Sequence, residues 1–122
     1  MIKSFAAVAA GGAAGAVLRY LISLIPFKGD FPFATLIANL LGALAIGFIS
    51  GFAASGTANK TVVLFCKTGL CGGFTTFSTF SLESFAFFEN GRTAMGIIYI
   101  ILSLAGCLLG VWAGKAIAGK LS

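Results

Sequence analysis

Residues 67–81 read KTGLCGGFTTFSTFS, a stretch with two adjacent glycines and five hydroxyl side chains between positions 75 and 81. The stretch lies where the apolar flanking sequence predicts a helix that crosses a lipid bilayer. Hydrocarbon offers no hydrogen-bond partners, so irregular polar backbone at that depth is tolerated only where it is buried in protein or lines a wet cavity. The stretch therefore predicts a helix broken near Gly72 and Gly73, with a binding or conduction site at the break.

The composition of the whole chain supports a membrane location. Apolar residues make up 59% of the 122 residues, and charged residues only 9%. A soluble domain of this length needs a polar surface that so few charged residues cannot supply. The eight Lys and Arg residues are scattered singly at the predicted helix ends rather than gathered in a stripe, which excludes nucleic acid as a partner. We expect an all-α membrane protein with the lipid bilayer as its solvent.

Apolar runs of about 20 residues, the length needed to cross a bilayer, predict four transmembrane helices. They lie near residues 4–25, 33–54, 61–88 and 94–118 and form a single domain over residues 1–122. The first run is longer than the apolar part of a signal peptide, so we expect it to be retained. With four spans both termini share one side, and the Lys and Arg residues favour that side only slightly, which leaves both orientations open.

Small residues at four-residue spacing predict close helix contacts. Gly106, Gly110 and Gly114 continue this spacing over two repeats, and such spacing lets helix backbones approach closely. Four short helices can hardly enclose a pore alone, so we favour a dimer. The same glycines could instead serve contacts within one chain.

Catalytic chemistry has no support in the sequence. The chain has no His, and it has no nucleophile with a base, no carboxylate pair and no metal-ligand cluster. The three cysteines Cys66, Cys71 and Cys107 fall inside predicted spans, where a thiol packs as a small apolar group. We therefore expect a protein that is not an enzyme.

The third span can be interpreted as an ion site. Phe77 and Phe80 are three residues apart and share a helix face, and the positive edge of a phenyl ring can face an anion. Carbonyl oxygens freed at a helix break would instead attract a hard cation. The alternative is structural: the rings fill a core, and the Ser and Thr hydroxyls bond back to carbonyls one turn earlier.

Asn39 places an amide in the otherwise apolar second span, with Thr35 one turn before it on the same face. An amide at that depth needs a partner, which can be another helix or a ligand in a pore. The two interpretations are compatible because the amide can donate two hydrogen bonds.

Three stretches together resemble the Fluc/CrcB family of fluoride channels. They are GGAAGAVLRY at residues 11–20, the pattern TLxxNxxG at residues 35–42, and GGFTTFSTFS at residues 72–81. The resemblance covers essentially the whole chain in length, span count and motifs. Ala34 departs from the pattern, since the family often has Gly at that position, and the change should alter packing only slightly.

The resemblance implies an antiparallel, dual-topology homodimer in the cytoplasmic (inner) membrane, with two fluoride pathways and passive fluoride efflux. Phe77 and Phe80 would turn ring edges to fluoride, and Asn39 would donate its amide. Carbonyls of Gly72 and Thr75 from both subunits would hold one structural sodium ion at the two-fold axis. Arg19 would lie at the vestibule, and Ser78 and Thr79 would line a polar track. The other residues of the implied fluoride pathway are Thr35, Asn39, Phe77, Phe80, Glu83, Tyr99 and Ser103.

The residues argue against two other functions. A small multidrug-resistance-type transporter has a similar length and four spans, but it relies on a carboxylate in its first helix. This chain has none there, and its nearest acid is Asp30 in the following loop. A structural subunit that only packs glycine-rich helices would leave the polar stretch of the third span unexplained.

Overall fold

The computed structural model describes residues 1–121, which are helical apart from short connections and contain no strand within that range. The five helices are α1 (Ile2–Ser23), α2 (Phe33–Ala53), α3 (residues 60–74), α4 (Phe77–Glu89) and α5 (Thr93–Leu121). Helices α1, α2 and α5 are long and apolar enough to cross a membrane. The chain is an all-α membrane protein, as its composition predicts.

The predicted third span is two helices in the structure. Helix α3 begins with an α-helical turn at Lys60–Val63, continues as a π-helix over Leu64–Cys71 and ends with Gly72–Phe74. Helix α4 follows after two extended residues. Because α3 and α4 are each too short to cross a bilayer alone, the count of four transmembrane spans stays a prediction.

The structure refines the prediction of a break near Gly72 and Gly73. Gly72 is helical, with φ of −62° and ψ of −38°, and both glycines belong to the last turn of α3. The chain becomes extended at Thr75, where ψ is 158°, and at Thr76, where ψ is 116°. The interruption therefore lies two residues beyond the glycine pair.

Two threonine hydroxyls explain why the interruption falls there. The Thr75 hydroxyl donates to the carbonyl oxygen of Cys71 at 2.9 Å, at the end of α3. The Thr76 hydroxyl accepts from the backbone N–H of Thr79 at 3.2 Å and caps the start of α4. Helix ends leave backbone groups without helical partners, and the Thr76 hydroxyl supplies one for the N–H of Thr79. The Thr75 hydroxyl adds a second donor to the Cys71 carbonyl, which already accepts from the Thr75 N–H at 3.0 Å.

The glycine pair has a different role, which is close packing. Helix α1 lies along α3, and a Cβ atom at Gly73 would lie 3.0 Å from the Cα atom of Gly12. No such restriction applies at Gly72, where an added Cβ would meet nothing within 4 Å. Gly73 therefore allows two helix backbones to touch, while Gly72 faces open space.

The glycines of the last helix also pack within the chain. Helix α2 lies along α5. A Cβ atom at Gly110 would lie 3.3 Å from the Cβ atom of Ala43, and one at Gly114 would lie 2.6 Å from the backbone nitrogen of Phe48. Of the two interpretations open for this spacing, the structure shows contacts inside one chain.

An aromatic core lies where α4, the start of α5 and the loop before α2 meet. Leu36, Phe80, Phe87 and Tyr99 form its buried cluster, and Tyr99 is fully buried. Phe31 of the loop lies edge-on to Tyr99, with ring centroids 5.5 Å apart. This core fixes α4 against α5 and so positions the residues that follow the break.

Candidate functional site

An open groove of about 370 Å³ lies beside the break, between α2, the α3–α4 junction and α5. Six of the residues predicted from the sequence line it together. They are Asn39, Gly72, Thr75, Phe77, Phe80 and Ser103.

Asn39 holds the break in place from the neighbouring helix. Its side-chain amide donates to the carbonyl oxygen of Thr76 at 3.1 Å and accepts from the backbone N–H of Thr76 at 2.8 Å. That N–H would otherwise continue the α3 helix toward Gly72, so Asn39 replaces a helical hydrogen bond. The interhelical partner expected for this amide is therefore the broken backbone itself, and one amide N–H is left over for another acceptor.

Arg19 of α1 lies beside the carboxyl end of α3, just before the break. Its Nε atom donates to the carbonyl oxygen of Gly73 at 3.3 Å. A guanidinium is favourable there because the carboxyl end of a helix carries partial negative charge. Arg19 does not line the groove, so its predicted position at a vestibule stays a prediction.

The two predicted aromatic residues differ in their surroundings. Phe80 is only 7% exposed, and its ring centroid lies 5.2 Å from that of Tyr99. Phe77 is 74% exposed, although its ring lies 5.6 Å from that of Phe80. A single chain therefore buries the ring of Phe80 and leaves the ring of Phe77 exposed.

Ser103 presents a buried hydroxyl to the groove from α5. The residue is 4% exposed, and its Oγ atom is the one buried side-chain oxygen or nitrogen without a hydrogen-bond partner among residues 1–121. Buried polar groups nearly always have a partner, so each exception calls for an explanation.

Glu83 lies one turn beyond Phe80 and is held by two hydroxyls. Thr35 donates to one carboxylate oxygen at 3.0 Å, and Tyr99 donates to the other at 2.8 Å. Thr35, Glu83 and Tyr99, predicted as separate pathway residues on three segments, thus form one hydrogen-bonded group. Tyr99 also contacts Phe80, which joins this group to the groove.

Ser78 and Thr79 lie outside the groove of the described chain. The Thr76 hydroxyl lies 3.1 Å from that of Thr79 and 3.4 Å from that of Ser78, so all three gather at the start of α4. Further along, the hydroxyls of Ser81 and Ser84 donate to carbonyl oxygens one turn earlier. For these two serines the structural interpretation holds.

Two features of the site were missed by sequence reasoning. The π-helix over Leu64–Cys71 has no signal that was recognised in the sequence, although such turns often occur at functional sites. Thr76 stands out from the neighbouring hydroxyl residues because its backbone and side chain organise the break. A signal did exist, because threonine is a favoured residue at the start of a helix.

Known proteins resemble this chain over nearly its whole length. Residues 6–115 match the model of the CrcB family, described as CrcB-like protein, Camphor Resistance. The fluoride-specific ion channel FluC of Ruminiclostridium cellulolyticum is 47% identical over 120 residues, which cover 95% of this chain and 92% of that protein. The protein of the same name from Clostridium perfringens is 50% identical, over 91% of this chain and 90% of that protein. The one from Methanocaldococcus jannaschii is 40% identical, over 97% of this chain and 96% of that protein. These relatives are named as channels rather than catalysts, so the prediction that the chain is not an enzyme is confirmed.

Proposed function

The chain belongs to the CrcB family, as its three sequence motifs predict, and from this premise we propose that it is a fluoride-selective ion channel. It would let fluoride leave the cell passively across the cytoplasmic membrane. Hydrogen fluoride enters as a neutral acid and ionises inside, so a passive path for the anion lowers the internal concentration and gives fluoride resistance.

The observation that supports this proposal most directly is the unpartnered hydroxyl of Ser103. Its Oγ atom is buried without a partner in a groove that also contains Phe80 and Asn39. A hydroxyl removed from water costs free energy unless it donates to an acceptor. A small anion in the groove would be that acceptor.

Several donors converge on the same groove, which is the requirement for binding fluoride. Fluoride is small and strongly hydrated, so a pore must replace its water with several donors placed together, and a larger halide leaves some of those contacts unmade. The second amide N–H of Asn39, the Ser103 hydroxyl and the ring edges of Phe77 and Phe80 are the candidate donors. Beyond Phe80, the pathway would continue past the hydrogen-bonded group of Thr35, Glu83 and Tyr99. Ser78 and Thr79 would reach the pathway only in a second subunit.

The open side of the groove favours a homodimer. Phe77 is 74% exposed beside Leu108, which is 73% exposed, and both line the groove. A second copy of the chain packed over this side would cover these residues and close the pathway. An antiparallel pair would have two equivalent pathways, and the weak asymmetry of Lys and Arg residues permits insertion in both orientations.

A structural sodium ion at the dimer axis would use backbone oxygens at the break. Thr76 gives its N–H to Asn39, which leaves the Gly72 carbonyl without its helical donor. Gly72 also faces open space, and carbonyl oxygens suit a hard cation. Carbonyls of Gly72 and Thr75 from two subunits therefore fit such an ion, which would supply fixed positive charge near the anion path.

The test of this function is ion efflux from liposomes that contain the purified protein and are loaded in turn with fluoride and with chloride. Fast passive loss of fluoride with retention of chloride is the expected result. Fluoride retention by well-folded protein would contradict the proposal, and equal loss of both ions would contradict its selectivity.

Replacing Asn39 by alanine is expected to slow fluoride efflux by at least roughly tenfold, a loss of about 1.4 kcal/mol or more of anion stabilisation. The variant loses a donor and also leaves the N–H and carbonyl of Thr76 unpaired. Efflux and the thermal unfolding midpoint in detergent are the measurements.

Asn59 provides the matched control for this substitution. Its side chain accepts from the N–H groups of Thr61 and Val62 at the start of α3, in an exposed turn. Asn59→Ala should cost about 1 kcal/mol of stability through the lost cap and leave efflux unchanged. A normal rate in Asn39→Ala would restrict Asn39 to a packing role.

A further inference from the structure

A second cavity of about 280 Å³ lies at the end of the bundle where the loop before α2 meets the turn between α4 and α5. Asp30 lines it from the loop, Glu83 and Phe87 line it from α4, and Asn90 and Arg92 line it from the turn. Apart from Glu83, which the family resemblance places in the fluoride pathway, none of these residues belongs to the three motifs or to the groove at the break.

The cavity continues the line of the proposed fluoride pathway. Phe80 belongs to the groove, Glu83 follows one turn later and belongs to the cavity, and Asn90 marks the far end of that cavity. Ten residues of helix span about 15 Å, so an anion that passed Phe80 and Glu83 would enter this space next. The cavity would thus form a mouth of the proposed pathway on the side of the loop before α2.

The charges in this mouth are unusual for an anion path. Asp30 and Glu83, two of the three acidic residues in the chain, line it. Arg92 is the single Lys or Arg residue among its described lining residues. Two carboxylates alone would repel an anion, so the guanidinium decides whether anions collect there.

The structure fixes where this guanidinium lies. Arg92 forms an ion pair with Asp30 through its Nη1 atom, and its Cζ atom lies 5.2 Å from the centroid of the Phe87 ring. Within the described chain its side chain makes no other hydrogen bond. A guanidinium carries five N–H donors, so most of them can still reach an anion. Asp30 is 71% exposed and Arg92 39% exposed, which leaves the pair open to ions from solution.

Building on the proposed channel function, we propose that Arg92 is an anion-collecting residue at this mouth and that Asp30 limits its occupancy by competing for the guanidinium. The ligand is a small hydrated inorganic anion, here fluoride. Removing the arginine charge lowers the local concentration of fluoride at the mouth. Removing the competing carboxylate raises it.

The test compares four variants in the liposome efflux assay at low ionic strength. Arg92→Gln should lower fluoride efflux, and Asp30→Asn should raise it, each by up to roughly tenfold, which is the low end of electrostatic steering effects. Lys28→Gln and Glu89→Gln remove the same charges outside the cavity and should change the rate little. In about 1 M impermeant salt, where screening acts over about 3 Å, the differences should disappear.

The opposite signs separate an electrostatic role from a structural one. Both Arg92→Gln and Asp30→Asn break the ion pair, so a merely structural pair predicts that both rates fall together, and that result overturns the proposal. If Arg92→Gln does not fold, Asp30→Asn decides alone, and a rate equal to that of Glu89→Gln overturns the proposal. Unchanged rates in Arg92→Gln overturn the Arg92 assignment while wild-type efflux upholds the channel function. Wild-type protein that retains fluoride overturns both.

Discussion

Replacing Phe80 by isoleucine is expected to slow fluoride efflux on the order of 100-fold, which corresponds to about 2.7 kcal/mol. Phe80 lines the groove and is almost completely buried, and its ring lies against those of Phe77 and Tyr99. Isoleucine keeps an apolar side chain at this position but has no ring edge to face an anion. It also removes one of the three rings that contact Tyr99, leaving those of Phe31 and Phe87. Because Tyr99 donates to Glu83, the loss also reaches the next step of the pathway.

The control for this variant is Phe85→Ile on the same helix. Phe85 is 61% exposed and lies outside the groove, so its replacement should leave efflux unchanged. Both variants should elute from a sizing column like the wild-type protein, since each keeps an apolar side chain at its position. Normal efflux in Phe80→Ile would remove the aromatic ring from the mechanism.

The long helices could be predicted from the sequence because their signal is local. Length and apolar composition mark α1, α2 and α5 without any knowledge of their neighbours, and these are the helices that meet the requirements for a membrane span. The break could be predicted only to within a few residues. Glycine was interpreted as the point of interruption, but Gly73 is used for contact with α1, and that use depends on how two distant segments pack.

The family resemblance named six residues that the structure brings together in one groove, but it did not indicate the hydrogen bonds that connect the site. Thr35 and Glu83 are 48 residues apart, and nothing in either segment indicates that they share a hydrogen bond. Asn39 was expected to have an interhelical partner, yet that partner is the backbone of Thr76, which carries no side-chain signal. Such contacts arise from the angles at which helices cross, and those angles are not encoded in any single stretch.

The contact between α1 and α3 leads to the second large effect, which is on stability. Gly11→Ala is expected to lower the free energy of unfolding by roughly 2–3 kcal/mol, the usual cost of overpacking. An added Cβ would lie 2.8 Å from the backbone nitrogen of Leu70 and 3.0 Å from the Cα atom of Gly69, and it would collide with the carbonyl oxygen of Phe65. Backbone atoms of a packed helix cannot move aside as a flexible side chain can, so α1 and α3 must separate.

Gly12→Ala is the matched control, since it adds the same methyl group at the next position of the same helix. Its Cβ would lie 3.9 Å from the nearest atom, the carbonyl oxygen of Gly69, which is ordinary contact. Alanine is favoured over glycine inside a helix by up to about 1 kcal/mol, so Gly12→Ala should unfold at the wild-type temperature or slightly above it. Thermal unfolding in detergent would measure the difference, and equal midpoints for the two variants would show that glycine does not set the spacing of α1 and α3. If the spacing does depend on Gly11, efflux should also fall in Gly11→Ala, because the end of α3 carries the carbonyl that Arg19 holds and the break that Asn39 holds.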